Sequence, residues 1–100
     1  MDKVALWVMI KAKAGKEREV AEFLQSAVPL VNAEPQTRAW FALRIGPSSF
    51  GIFDTFETES GRDAHLSGKV AAALMQKAPE LLAEPPKIEK IDVLASKAAK

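Results

Sequence analysis

Seven consecutive apolar residues near the amino terminus constrain the fold more than any other feature. Residues 4–10 are rich in strand-forming side chains and are followed directly by Lys11 and Lys13. The run is too short to cross a membrane as a helix, which needs about 20 apolar residues, and no small-residue cleavage site follows it. Such a run is typical of a strand that is covered on both faces. The sequence therefore predicts a central strand and no membrane partner.

The next segments predict a helix and two strands. Apolar residues recur every three or four positions from Val20 to Val31, which indicates a helix that ends near Ala33. Pro29 falls inside this pattern and is expected to kink the helix or end its regular part. Residues 38–44 and 50–57 predict two strands, and the Gly-Pro-Ser-Ser turn between them favours antiparallel pairing.

The last third predicts two helical pieces and a fourth strand. Thr58 and Ser60 offer hydroxyl caps for a short helix that ends at Gly68. A second helical piece begins at Val70 and is stopped by Pro85 and Pro86. Residues 88–95 predict the fourth strand, whose register stays open because its apolar residues keep no single alternation. We expect residues 96–100 to be a frayed tail.

The order βαββαβ within 100 residues predicts a single α+β domain that spans residues 1–100. Its expected form is ferredoxin-like, a four-stranded antiparallel sheet with the helices on one face. The uncovered face would carry Trp and Phe side chains over several hundred Å², more than monomers usually expose. We therefore expect a homodimer in which a second copy covers this sheet face.

Charge and composition exclude several classes of partner and cofactor. The 14 Lys and Arg residues are interspersed with 13 Asp and Glu residues, so no basic field favours nucleic acid. The chain has no cysteine, which excludes disulfides and thiolate chemistry and makes the cytoplasm the expected compartment. A single histidine without cysteine cannot build a self-contained transition-metal site, and no glycine-rich phosphate loop is present. No metal and no cofactor are predicted.

His65 and Asp54 are the first candidates for chemistry. His65 is the only histidine, and an imidazole titrates near neutral pH, as a general base requires. The alternative is a half-exposed histidine that helps to end its helix. Asp54 interrupts an apolar strand, so its carboxylate must be paired, hydrogen-bonded or protonated. It either orients His65 or forms a structural salt bridge with Arg38 or Arg44.

Trp40 lies between two arginines on one face of its predicted strand. With Arg38 and Arg44 it offers an aromatic plate and two cations, which suit a flat, electron-rich phenolate or quinol. Alternatively, Trp40 belongs with Trp7 to the core of the dimer, and the arginines are solvated strand ends. Phe56 is assigned to the core and to the lining of the pocket.

Four short segments carry a resemblance to a known family. They are Lys11-Ala12-Lys13-Ala14-Gly15-Lys16, Ala33-Glu34-Pro35, Phe53-Asp54-Thr55-Phe56-Glu57 and Ala64-His65-Leu66. In this order and spacing they resemble the antibiotic biosynthesis monooxygenase domain family, dimeric α+β barrels that include cofactor-independent quinol and anthrone monooxygenases. The resemblance implies that His65 lies at the mouth of a pocket beside the sheet, where many members of the family place a histidine.

The resemblance implies a monooxygenase that uses O2 on quinols or related polyphenolic aromatics, without a cofactor. In this hypothesis His65 is the base, and the pocket is lined by Trp40, Asp54, Arg44 and Phe56. One alternative is a non-catalytic or stress-associated dimeric barrel that carries a small aromatic ligand, or none. A further alternative is an isomerase or decarboxylase that uses His65 without O2.

Overall fold

The protein combines a four-stranded sheet with four helices in the part of the chain that the computed structural model describes, residues 2–97. In chain order the elements are β1 (Val4–Lys11), α1 (Glu17–Ser26), α2 (Val28–Asn32), β2 (Ala39–Arg44), β3 (Ser49–Phe56), α3 (Glu59–Leu66), α4 (Lys69–Leu81) and β4 (Lys87–Asp92). The strands are antiparallel and lie in the order β2-β3-β1-β4. The predicted α+β, ferredoxin-like fold is confirmed. Within residues 2–97 the longest helix has 13 residues, and none is long and apolar enough to span a bilayer.

Three local features refine the predicted boundaries. The first helical stretch is divided into α1 and α2, and Pro29 lies in the first turn of α2, where a missing N–H removes no helix hydrogen bond. The cap of α3 is Thr58, whose hydroxyl accepts a hydrogen bond from the Gly61 N–H at 3.1 Å. The prediction that β4 reaches residue 95 was wrong. That strand ends at Asp92 because its partner β1 begins opposite it, at Val4. The predicted frayed tail falls in part on residues 98–100, outside the described residues.

The register of the sheet decides which side chains face the helices. In β1 and β3 the even-numbered residues point towards the helices, and Trp40 in β2 shares this face because it pairs with Asp54. The main apolar core lies here and joins strand residues to α1, α4 and the segment after α4. Its members include Val8, Ile10, Phe50, Ile52, Val20, Leu24, Leu74 and Leu82. Pairing of Ile88 with Val8 fixes the register of β4 that the sequence left open.

The opposite face of the sheet carries no helix and is aromatic at its centre. Trp7, Phe53 and Phe41 form one row across three strands, and Phe41 is 53% exposed. The ring of Trp7 lies directly over Gly51, where any Cβ atom would collide with it. This open face therefore has the aromatic character that the sequence predicted, but Trp40 is not part of it and faces the helices instead.

Candidate active site

The imidazole of His65 lies between two carboxylates in the interior. Its Nδ1 is 2.6 Å from Oε1 of Glu34, a hydrogen bond, and its Nε2 is 2.9 Å from Oδ2 of Asp54. The second approach has the distance of an ion pair but is too oblique for a well-aligned hydrogen bond. His65 is 8% exposed and Asp54 is fully buried. The three side chains form a carboxylate–imidazole–carboxylate cluster, called the acidic–imidazole cluster below.

Three different elements supply this cluster. Asp54 projects from β3 towards the helices, and His65, in the last turn of α3, contacts it. Glu34 follows the end of α2, and its carboxylate is fixed by the Thr37 hydroxyl, which donates to Oε1 at 2.8 Å. Gly68 leaves room for this arrangement, since a Cβ there would lie 3.2 Å from Oε2 of Glu34.

The surroundings of His65 favour its charged form. Burial by itself lowers the pKa of an imidazole, but the contacts with Asp54 and Glu34 outweigh burial and raise the pKa of His65 above its ordinary value of 6.5. The ring of Phe56 packs against the imidazole with the two ring centroids 5.5 Å apart, which holds the histidine in place. With the imidazolium formed, the cluster of two carboxylates and one cation carries one net negative charge.

Two cavities lie on either side of Glu34. One, of about 200 Å³, lies between the segment 33–37 and α3, with Glu34, Gln36, Gly61 and His65 among its walls. The other, of about 210 Å³, lies beside α2 and the start of β2, with Val28, Val31, Glu34 and Trp40 among its walls. An engineered apolar cavity of about 150 Å³ holds a benzene molecule. Each space is a partly open cleft whose volume is enough for one aromatic ring.

Trp40 and Asp54 each present a buried polar atom towards the helix-facing interior. The indole Nε1 of Trp40 and Oδ1 of Asp54 have no hydrogen-bond partner among residues 2–97. Trp40 also packs against Ala27, Val31 and Val70, so its ring is held between the sheet and the helices. Trp40 therefore faces the helices beside its strand partner Asp54 and does not lie on the open face of the sheet.

The other predicted site residues lie apart from one another. Phe56 is completely buried and contacts His65. Arg44 is at the far end of β2, four residues from Trp40, a separation of about 13 Å along a strand. Its guanidinium lies 4.8 Å from the centre of the Phe50 ring. Arg38 forms ion pairs with Asp2 at 3.4 Å and Glu57 at 3.8 Å. The structure thus joins His65, Asp54 and Phe56, places Trp40 next to them, and leaves both arginines outside the cluster.

Sequence reasoning missed two residues. Glu34 was noted only as part of a family segment, and helical periodicity gives no sign that a residue just after a helix turns inwards. Arg62 is 6% exposed, and its Nη1 donates to the carbonyls of Ala5 and Ile91, each at 3.3 Å. Arg62 and His65 are three residues apart, so they lie on the same face of α3. This spacing is the sequence signal from which a buried Arg62 could have been predicted.

Residues 2–97 hold no group of three His, Cys, Asp or Glu side chains that could bind a metal ion. The fold and the cluster together define the class: a small α+β protein of the ferredoxin-like type with a buried carboxylate–imidazole–carboxylate group under the helices.

Comparison with solved structures places the chain more narrowly. It is similar to the NE2512 protein of unknown function from Nitrosomonas europaea, with 56% identity, a TM-score of 0.97, and coverage of 100% of this chain and 97% of that one. The chain belongs to the same family as that protein. No protein-family model and no curated protein matches it.

More distant structures share the fold. A candidate antibiotic biosynthesis monooxygenase from Nitrosomonas europaea has 18% identity and a TM-score of 0.82, with 92% of this chain and 99% of that chain covered. A protein of unknown function from Bacteroides thetaiotaomicron, described as a possible oxidoreductase, has 17% identity and a TM-score of 0.78, with 92% and 98% covered. The chain thus has the fold of the antibiotic biosynthesis monooxygenases.

Proposed function

We propose that the protein is a cofactor-independent monooxygenase that acts on small quinols with O2 as the oxidant. The observation that carries this proposal is the buried acidic–imidazole cluster beside two cavities that each suit one aromatic ring. The fold shared with a candidate antibiotic biosynthesis monooxygenase and with a possible oxidoreductase adds support. A cytoplasmic location, expected from the absence of cysteine, is part of the same proposal.

The chemistry requires a proton acceptor near the hydroxyl of the quinol. A quinol reacts with O2 once it is deprotonated; one oxygen atom enters the ring, the other leaves as water, and the product is a hydroxyquinone. His65 accepts the proton in its neutral form, because the imidazolium has both nitrogens protonated and can only donate. Glu34 lines both cavities and holds Nδ1 of His65, so it connects the ligand to the imidazole. Activity is therefore expected to rise with pH through the raised pKa of His65.

The experiment is oxygen uptake by metal-stripped protein with a panel of one-ring and two-ring quinols. We expect one O2 consumed per quinol, and no return of O2 when catalase is added, because the enzymatic route makes water. Simple autoxidation makes hydrogen peroxide, from which catalase returns half of the O2.

His65→Ala is expected to lower the rate at least about 100-fold, the usual contribution of a general base. Arg18→Ala, on the exposed side of α1, is the matched control and should not change the rate. Uptake that is equal in wild type and His65→Ala, or that is absent from folded wild-type protein, contradicts the proposal.

One observation favours a second candidate, a barrel that binds an aromatic ligand without turnover. Both ring nitrogens of His65 are already engaged by carboxylates, which is the arrangement of a structural ion network. Such a protein would gain thermal stability from a phenolic ligand but would consume no O2 with any quinol of the panel.

A second copy of the chain is proposed as the cover of the open sheet face. The aromatic row of Trp7, Phe53 and Phe41 would be buried, and both Lys87 and Glu89 lie on the same face of β4, so the rim offers charges of both signs. Phe41→Glu should convert the dimer to a monomer in sedimentation equilibrium. Met75→Glu is the control, because Met75 is 54% exposed against 53% for Phe41 but lies on a helix. Equal masses for Phe41→Glu and Met75→Glu would contradict a dimer formed through this sheet face.

A further inference from the structure

The interior beside His65 holds a donor and an acceptor that nothing in residues 2–97 satisfies. They are the indole N–H of Trp40 and Oδ1 of Asp54, both buried; Nε of Arg62 is a further unpaired donor, and Oδ2 of Asp54 faces Nε2 of His65. A buried indole N–H usually has a partner, and leaving such a group unpaired costs about 1–3 kcal/mol. Two unpaired groups of opposite hydrogen-bonding type on one sheet face call for a partner that pairs with both, either a buried water or a group of a ligand.

The sheet brings these two side chains together. Trp40 and Asp54 are direct partners in the β2–β3 register, so both project from the same face of the sheet. Directly opposed residues of antiparallel strands have Cβ atoms about 4.5–5.5 Å apart. Trp40 lines the cavity beside α2, and Asp54 is its fully buried neighbour on the same face of the sheet.

The chemistry of the pair selects that group. It must accept a hydrogen bond from the indole N–H and donate one to a carboxylate. A hydroxyl does both, whereas a carbonyl or an ether only accepts, and an ammonium only donates. A carboxylate ligand would meet a cluster that already carries one net negative charge. A neutral hydroxyl fits this pair, and the proposed function supplies the aromatic ring that carries it.

We propose that Trp40 and Asp54 form a subsite for a phenolic hydroxyl, which accepts from Nε1 of Trp40 and donates to Oδ1 of Asp54. The ring of the ligand would lie in the cavity beside Val28 and Val31, which Trp40 also lines. The subsite deepens the proposed function and rests on it for the choice of an aromatic ligand. It adds the atoms that hold the substrate and limits that substrate to a neutral phenol or quinol with one ring.

The test is equilibrium binding without O2, so that it does not depend on turnover. Phenol, anisole and benzoate are titrated into folded wild-type protein, and dissociation constants are taken from calorimetry or ligand-observed NMR. Phenol should bind at least about tenfold more tightly than anisole, which lacks the donor, and benzoate should bind most weakly. Trp40→Phe keeps an aromatic ring without the N–H and should weaken phenol about tenfold while leaving anisole unchanged.

The subsite is overturned if phenol and anisole bind equally, or if Trp40→Phe weakens both to the same degree. Absence of phenol binding to folded wild-type protein also overturns it, and a buried water between the two groups would then be their partner. Thermal unfolding shows whether Trp40→Phe is folded, and Trp7→Phe on the open face is the matched control. Phenol binding with the expected selectivity but without O2 uptake would contradict the monooxygenase function and support the subsite. O2 uptake without this selectivity would support the monooxygenase function and contradict the subsite.

Discussion

The helix-facing side of the sheet has an apolar end and a polar end, and two residues of one strand mark the contrast. Ile52 and Asp54 both point from β3 towards the helices and are 4% and 0% exposed. Ile52 packs within the main apolar core, whereas Asp54 meets His65. Replacing a buried ion pair by well-packed apolar residues of the same volume is often neutral or stabilising. The contrast shows that one face of β3 buries an apolar side chain by packing and a charged side chain by pairing it with other charges.

The largest expected effect comes from removing one charge at the polar end. Asp54→Ala leaves the buried imidazolium with only Glu34 as a partner and should lower the free energy of unfolding by about 3 kcal/mol at pH 6. Ile52→Val is the control at the apolar end and should cost about 1 kcal/mol at any pH. Urea unfolding at pH 6 and pH 9 measures both variants. If Asp54→Ala lowers the free energy of unfolding by the same amount at pH 6 and pH 9, the proposed difference between the two ends is contradicted.

The next effect is the pH dependence of stability. Because the pKa of His65 is raised in the folded state, the folded protein binds more protons than the unfolded chain between pH 6.5 and the folded pKa. The contribution of His65 is thus complete below pH 6.5 and is lost as pH rises through the folded pKa. The slope is at most about 1.4 kcal/mol per pH unit. His65→Gln should remove this slope from a series of urea unfolding curves. A wild-type slope that persists in the variant would assign it to other groups.

The smallest effect concerns the support of Glu34. Thr37→Val removes the hydroxyl that donates to Glu34 and should cost about 1 kcal/mol. Ser26→Ala is the comparison at the surface, since its exposed hydroxyl bonds only to the Phe23 carbonyl within its own helical turn. That change should cost less than about 0.5 kcal/mol. Equal losses in denaturant unfolding would mean that Thr37 does not stabilise the carboxylate.

The apolar end could be predicted from the sequence, and the polar end only in part. Strand alternation and helical periodicity report which side chains are covered, so the fold and the buried position of Ile52 followed from local pattern, and the same alternation placed Phe56 in the core at the polar end. Asp54 was detectable because a carboxylate in an apolar strand breaks that pattern. Glu34 was not, because its inward direction depends on how the segment after α2 meets α3, which is a tertiary contact. The separation of Arg44 from His65 depends likewise on which end of β2 lies under α3.

The acidic–imidazole cluster is best tested by an NMR titration of the imidazole. His65 is the only histidine of the chain, so its ring signals need no assignment, and Glu34→Gln serves as the comparison. We predict a single titration with a midpoint above 6.5, both ring nitrogens protonated at pH 6, and a lower midpoint in Glu34→Gln. A midpoint at or below 6.5 that Glu34→Gln leaves unchanged would contradict the charged cluster.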